Sequence, residues 1–229
     1  MVKPNIVREN PDRPNIYLDK VLKESAADSY EVYENIYKPL VDELFKVKSE
    51  FPVTLVYMPL EHIGNASAYC RYLFKSDLET SIYGVICSGQ DSEVKSTIIA
   101  DLGKDCPRFR LVFCTSVIGM GFNSPSMERV IHSRPPRNLP DYVQEIGRAG
   151  RSGQDAKAIL YFCKRDIASN VPGIKSDIIG YCNEDMCLRN NLLRQFGFQK
   201  TSREPMHKCC TYCKQICNCF ECEMFRIEL

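Results

Sequence analysis

The chain has 229 residues, 44% of them hydrophobic, with 30 Lys and Arg against 29 Asp and Glu and a net charge of +1. That apolar content excludes an intrinsically disordered chain, and the length fits one sizeable domain with a smaller one appended, or two small domains. No apolar run approaches a bilayer span and no secretory leader opens the chain, so a soluble intracellular protein with no membrane partner is expected, while the even charge leaves room for a local basic face.

Residues 1–14, rich in Pro, Asn and Arg, read as a linker. From Ser29 to Lys48 a helical pattern places Val32, Ile36, Leu40 and Leu44 on one face, with Pro39 bending it or starting a second segment. Val53 to Met58 is a short apolar run suited to a buried parallel strand. A helix follows over Ile63 to Phe74, a strand over Ile82 to Cys87, and a helix capped by Ser92 that runs to about Leu102. Residues 111–115, 129–132 and 157–162 are three further strands. Strands alternating with helices predict an α/β fold, a parallel sheet flanked by helices, whose working residues lie beyond the strand carboxyl ends.

After Phe162 the strand signals stop. Asn183 is placed to cap a helix with Glu184 and Asp185 in its first turn; Leu188, Leu192, Leu193 and Phe196 form its apolar face and Gly197 its C-cap. The remainder is cysteine-rich: eight of the 13 cysteines fall in the last 48 residues. In a reducing compartment such a cluster asks which thiols bind metal.

Three segments carry chemistry. Gln144-Glu-Ile-Gly-Arg-Ala-Gly-Arg151 sets Arg148 and Arg151 three apart among small residues, with Gly147 and Gly150 allowing close backbone approach. Guanidiniums stay charged and fork onto phosphate oxygens, which suits stabilising a transferring phosphoryl group. Thr115-Ser-Val-Ile-Gly-Met-Gly-Phe-Asn-Ser-Pro125 follows a strand, where backbone N–H groups meet phosphates or simply turn the chain. Cys187, then His207-x2-Cys210-x2-Cys213, makes a three-thiolate, one-imidazole set of the kind that closes a structural zinc site. Cys209 competes with His207 for the second position, and spacing favours His207.

These segments resemble motifs V and VI of the second RecA-like lobe of superfamily-2 helicases. The wording Thr-Ser-x-x-Gly-Met-Gly, then Val-Ile-His, then Gln-Glu-Ile-Gly-Arg-Ala-Gly-Arg is similar to the RecQ branch of ATP-dependent DNA helicases. Asp12 to Ile16 resembles the family's interlobe segment, Val53 to Met58 its motif IV, and Ser88-Gly89 the short segment before motif V. Cys187-Leu-Arg189 with Leu192-Leu-Arg-Gln-Phe-Gly197 resembles its zinc platform, in which a Cys stands where this chain has His207.

The resemblance implies an interlobe linker at 1–14, a lobe at 15–165, a helical zinc-binding subdomain at 166–215 and a Cys-rich tail at 216–229. It makes Arg151 the arginine finger, Arg148 its neighbour on the phosphates and Gln144 the coupler of nucleotide to DNA. Thr115, Ser116, Gly119 and Gly121 would face DNA or the interlobe cleft. Asn123 stands where the family usually has Asp, Cys87 where it has His and Met58 where it has Cys. No Gly-x4-Gly-Lys-[Ser/Thr] and no Asp-Glu-x-His occurs. ATP and Mg2+ therefore enter only with a first RecA-like lobe, in trans or in a longer native chain.

The resemblance thus implies half of a 3′–5′ DNA helicase with structural Zn2+, acting on DNA in the nucleus. A non-catalytic, zinc-stabilised DNA-binding or regulatory module is the alternative, and an RNA helicase a third that the zinc frame argues against. Cys217, Cys219 and Cys222 read as free thiols on a frayed tail, for want of a fourth ligand. His62 and His132 read as ordinary helix and strand residues, and Asp91 and Glu93 as partners of a helix dipole.

Overall fold

The computed structural model describes residues 10–24, 29–75, 80–116, 122–199 and 204–227. Six parallel strands form one sheet: β1 (Ile16–Leu22), β2 (Thr54–Tyr57), β3 (Tyr83–Ile86), β4 (Leu111–Cys114), β5 (Arg129–His132) and β6 (Ala156–Phe162), in the order β1-β6-β5-β2-β4-β3. Helices α1 (Ser29–Val47) and α2 (Leu60–Phe74) cover one face. On the other lie α3 (Ser92–Leu102), α4 (Leu139–Ile146), α5 (Ser176–Asn183) and α6 (Leu188–Gln195). With helices on both faces, β2 and β4 are buried at every position, which is why their sequences read as unbroken apolar runs. The period of two sorts them: Leu55 and Tyr57 join the α3–α4 side, Val56 and Met58 the α1–α2 side.

β1 carries no strand signal in the sequence, because Asp19 and Lys20 interrupt its apolar residues. It lies at the sheet edge, where polar side chains are tolerated, and both have work there. Lys20 Nζ donates to the carbonyls of Glu184 (2.7 Å), Cys182 (3.0 Å) and Tyr181 (3.4 Å) at the end of α5, a cation on a helix C-terminus. Asp19 pairs with Lys157 at 2.7 Å and accepts from Thr211 Oγ1. The outer side of β1 is covered by the cysteine loop: Leu18 N–H donates to the Cys209 carbonyl, and Leu18 and Cys210 form a parallel bridge.

Other local expectations shift for identifiable reasons. α1 continues through Pro39, an exposed position where water can satisfy the carbonyl freed one turn earlier at Asn35. Its buried face is Tyr33, Ile36, Tyr37, Val41 and Leu44, so two tyrosines contribute and Val32 and Leu40 lie at its flanks. Asp91, not Ser92, caps α3, its carboxylate accepting from Glu93 N–H at 2.7 Å. Asn183 ends α5 instead of starting the next helix, and the N-cap of α6 is Cys187. Gly197 follows α6 with φ +77°, the left-handed stop that glycine permits.

Candidate functional site

The connection after β2 runs through α2 to one face of the sheet, and the connection after β5 runs through α4 to the other. Their divergence opens a crevice beyond the carboxyl ends of the two strands, the place where open α/β sheets bind ligands. A cavity of about 340 Å³ lies there, lined by Tyr57, Thr115, Ser116, His132, Arg134 and Arg137 among others. Ser116, Arg134 and Arg137 are exposed, while Thr115 is half-buried and its N–H donates to the Ile86 carbonyl at 3.2 Å. Gly119 and Gly121 lie outside the described residues.

Gln144 to Arg151 occupies the last turn of α4 and the tight loop after it. Asn138 caps this helix, accepting from Asp141 N–H at 2.8 Å, with Pro140 in the first turn. Gly150 has φ +65°, and a Cβ built on it would lie 2.3 Å from Asn15 Nδ2. Only glycine fits. Its close approach is to the chain's own Asn15, whose amide donates to the Gly150 and Gln154 carbonyls at 2.7 Å each.

The loop turns both guanidiniums onto one carbonyl: Arg148 Nη1 and Arg151 Nη1 each lie 3.3 Å from the Phe122 oxygen. Arg151 also donates to Asn123 Oδ1 at 2.9 Å and to the Gly147 carbonyl at 3.1 Å. Arg148 is buried, its guanidinium over the Phe122 ring, and Arg151 is exposed. Burial first, then the charges of Arg148 and Arg13, push the Arg151 pKa down, yet a guanidinium keeps its proton. Three cations thus share one region. Exposed Gln144 lines a cavity of about 270 Å³ beside Asp12, Arg13, Arg151 and Arg189.

The cysteine-rich region forms two clusters. The sulfurs of Cys187, Cys209, Cys210 and Cys213 lie within 4.8 Å of one another, Cys187 to Cys209 at 3.8 Å and to Cys210 at 4.0 Å. A tetrahedron with metal–sulfur bonds of about 2.3 Å has sulfur edges of about 3.8 Å, so this set suits a metal ion. Hydrogen bonding among these facing thiols lowers the Cys210 pKa and raises that of Cys209, while burial first raises that of Cys213. His207 does not join this cluster; Cys209 takes the place the spacing had given to His207. A second group, His207, Cys217, Cys219 and Cys222, also gathers within 4.8 Å. The tail is not frayed over its described part: α7 (Thr211–Gln215) and α8 (Phe220–Ile227) are helical.

The helicase conserved C-terminal domain family matches residues 37–153, half of the chain. The chain belongs to that family. Among its relatives, the ATP-dependent DNA helicase Q-like 2 of Arabidopsis thaliana is 31% identical over 116 residues, 46% of this chain and 16% of that protein. The ATP-dependent DNA helicase RecQ of Bacillus subtilis is 29% identical over 125 residues, 48% of this chain and 20% of that protein. This chain therefore spans a fifth or less of the length of these two relatives. Domain 2 of the DEAD-box helicase Mss116p, solved bound to an RNA duplex, superposes with a TM-score of 0.50 at 17% identity, over 65% of this chain and 54% of that one. That likeness is one of fold. The chain is a C-terminal helicase lobe with RecQ-type relatives, and its parallel sheet has the fold of the DEAD-box second domain.

Within this helicase lobe, several positions gain roles that motif reading missed. His132 Nε2 meets Glu145 Oε2 at 2.7 Å, both buried. The His132 ring stacks on Tyr57 at 4.7 Å and meets Tyr142 edge-on at 5.1 Å. Burial drives the Tyr57 phenol pKa far up. Gln144 and Glu145 are consecutive yet serve the two different cavities, so α4 joins them mechanically. Arg189 is buried, pairs with Asp12 and donates to the Arg13 (2.9 Å) and Ile16 carbonyls, fastening α6 to the segment before β1. The Cys-Leu-Arg wording was its only signal. No helix among the described residues is long and apolar enough to cross a membrane.

Proposed function

We propose that this lobe is the second motor lobe and zinc platform of a RecQ-like, ATP-dependent 3′–5′ DNA helicase. The observation that carries the reading is the convergence of Arg148 and Arg151 on the Phe122 carbonyl, with Arg13 and Gln144 beside Arg151, in a chain of the helicase C-terminal domain family. A group of guanidiniums of this kind suits an anion, and a nucleoside triphosphate in a facing lobe would supply one.

In this reading Arg151 is the arginine finger. Water attacks the γ-phosphorus, the bond to the β–γ bridging oxygen breaks, and the guanidinium offsets charge on the transferring phosphoryl group. Arg148, held over Phe122, fixes the loop from which the finger reaches out. Gln144 reports the nucleotide state along α4, through Glu145 and His132, to the crevice where Thr115 and Ser116 with Arg134 and Arg137 meet DNA phosphates. A first RecA-like lobe, in trans or in a longer native chain, supplies the phosphate-gripping loop and the Mg2+ site. Cys187, Cys209, Cys210 and Cys213 hold a structural Zn2+, which stabilises the platform and takes no part in the chemistry. The lobe occupies roughly residues 15–165, and the metal-bearing subdomain follows it. Action on chromosomal DNA would make the protein nuclear.

The test is DNA-stimulated ATP hydrolysis by the chain mixed with a separately made first lobe of a RecQ-type relative. Turnover is expected only in the mixture, and Arg151→Ala should lower it by on the order of 10³-fold or more without changing the melting temperature. Turnover retained by that variant removes Arg151 from the role. DNA binding with no turnover in any mixture leaves the non-catalytic, zinc-stabilised module.

A further inference from the structure

The short 3₁₀ segment Met206–Lys208 brings His207 against the turn that leads into α8. His207 Nδ1 lies 3.1 Å from Cys219 Sγ and 3.8 Å from Cys217 Sγ, and Cys222 Sγ completes the group. On the opposite side of the ring, Nε2 lies 3.1 Å from the Glu221 carboxylate. The carboxylate thus lies against Nε2 and leaves Nδ1 facing the three sulfurs. An imidazole whose second nitrogen is held by a carboxylate is the usual outer support of a metal-ligating histidine.

The energetics of α8 point the same way. Its exposed side chains include Phe220 (77%) and Met224 (46%), and Cys222 is its one buried residue among the described side chains. An eight-residue helix has no independent stability in water, so contacts outside the helix must hold it. Cys217 is likewise buried, and none of the three thiols is in a disulfide. Coordination supplies the missing free energy in regions of this kind.

We propose that His207, Cys217, Cys219 and Cys222 form a second closed metal centre, separate from the four-thiol cluster and taking a tetrahedral divalent ion of the zinc class. The two ligand sets interleave along the chain. His207 comes before Cys209, Cys210 and Cys213, and its three partners come after them. Each ion therefore closes a loop containing ligands of the other, and the pair braces residues 187–222 as one unit. The segment read as a loose tail is thereby part of the metal-bearing subdomain. This inference stands independently of the helicase reading.

The experiment is elemental analysis of the full chain, purified anaerobically with zinc supplied. Two zinc ions per chain are expected, His207→Ala should retain one, and Cys210→Ser should lose the other. X-ray absorption of the unmodified protein needs no variant to fold: two ions sharing seven thiolates and one imidazole should show sulfur scattering with a minor imidazole component. A single ion per chain, a purely sulfur-ligated spectrum, or two ions retained by His207→Ala would each overturn the second centre. A disulfide among Cys217, Cys219 and Cys222 in the anaerobic protein would do the same.

Discussion

The sheet and the cysteine region hold their shape by different means. β2 and β4 are largely apolar, and Leu55, Val56, Leu111, Val112 and Phe113 are fully buried between two helical layers. Burial of that kind tolerates many apolar residues and needs no particular partner. Past Asn183 the described elements are three to eight residues long, and beyond the leucine face of α6 the side chains that meet are mostly thiols. There each contact depends on one atom type at one position. The sheet should accordingly fail gradually under substitution, and the cysteine region should fail all at once.

Metal removal gives the largest expected difference. A structural zinc in a small domain contributes on the order of 10 kcal/mol of apparent folding free energy. Chelation should abolish hydrogen-exchange protection in α6 and α7 while the amides of β2, β4 and β5 remain protected. Loss of protection in both regions together would show one cooperative unit and break the comparison. β1 is the informative element, because it pairs with β6 on one side and bridges to Cys210 on the other; it should lose part of its protection.

A cavity in the sheet is the next effect. Leu55→Ala, at a fully buried position in the central strand, should cost about 2–5 kcal/mol in denaturant unfolding. Its zinc content should not change. Loss of bound zinc in this variant would mean that the sheet and the cysteine region are coupled far more tightly than their contacts indicate.

The same contrast explains what was legible in the sequence. Strand and helix periodicity located β2 to β6 and α1 to α3 within a few residues, since every apolar position contributes to the signal. β1 escaped because its pattern is broken by Asp19 and Lys20, whose partners, Thr211, Lys157 and the end of α5, are brought near only by folding. α4 and α5 escaped, whereas α6, equally short at eight residues, was read from its leucines. In the candidate site, the arginine loop was readable as a string, but its use of the Phe122 carbonyl and Asn123 was not. The thiol clusters show the limit most clearly. Spacing favoured His207 with Cys210 and Cys213, and it cannot separate two interleaved groups; only the chain path gathers Cys209 into one cluster and His207 into the other.

The smallest effect concerns a titrating group inside the apolar region. His62 is buried on α2, its ring stacked on Tyr33 at 3.7 Å and met edge-on by Tyr30 at 5.3 Å. Burial lowers its pKa from the ordinary 6.5; Glu61, 3.5 Å away, opposes this, and Arg134 and Lys23 reinforce it. The folded protein thus prefers the neutral imidazole, while the unfolded chain takes up a proton near pH 6.5. The stabilisation is complete above that pH and is lost as pH falls below it toward the folded value. With zinc bound as proposed, protonation of its ligands would also destabilise the protein at low pH, so the wild-type curve alone does not isolate His62. His62→Phe keeps an aromatic ring against Tyr33 and cannot titrate. Between pH 7.5 and 5.5 the wild type should therefore lose more stability than this variant, by less than the cost of the Leu55 cavity. Parallel curves for the two proteins would mean that His62 is protonated equally in folded and unfolded chains, and that the stack leaves its charge solvated.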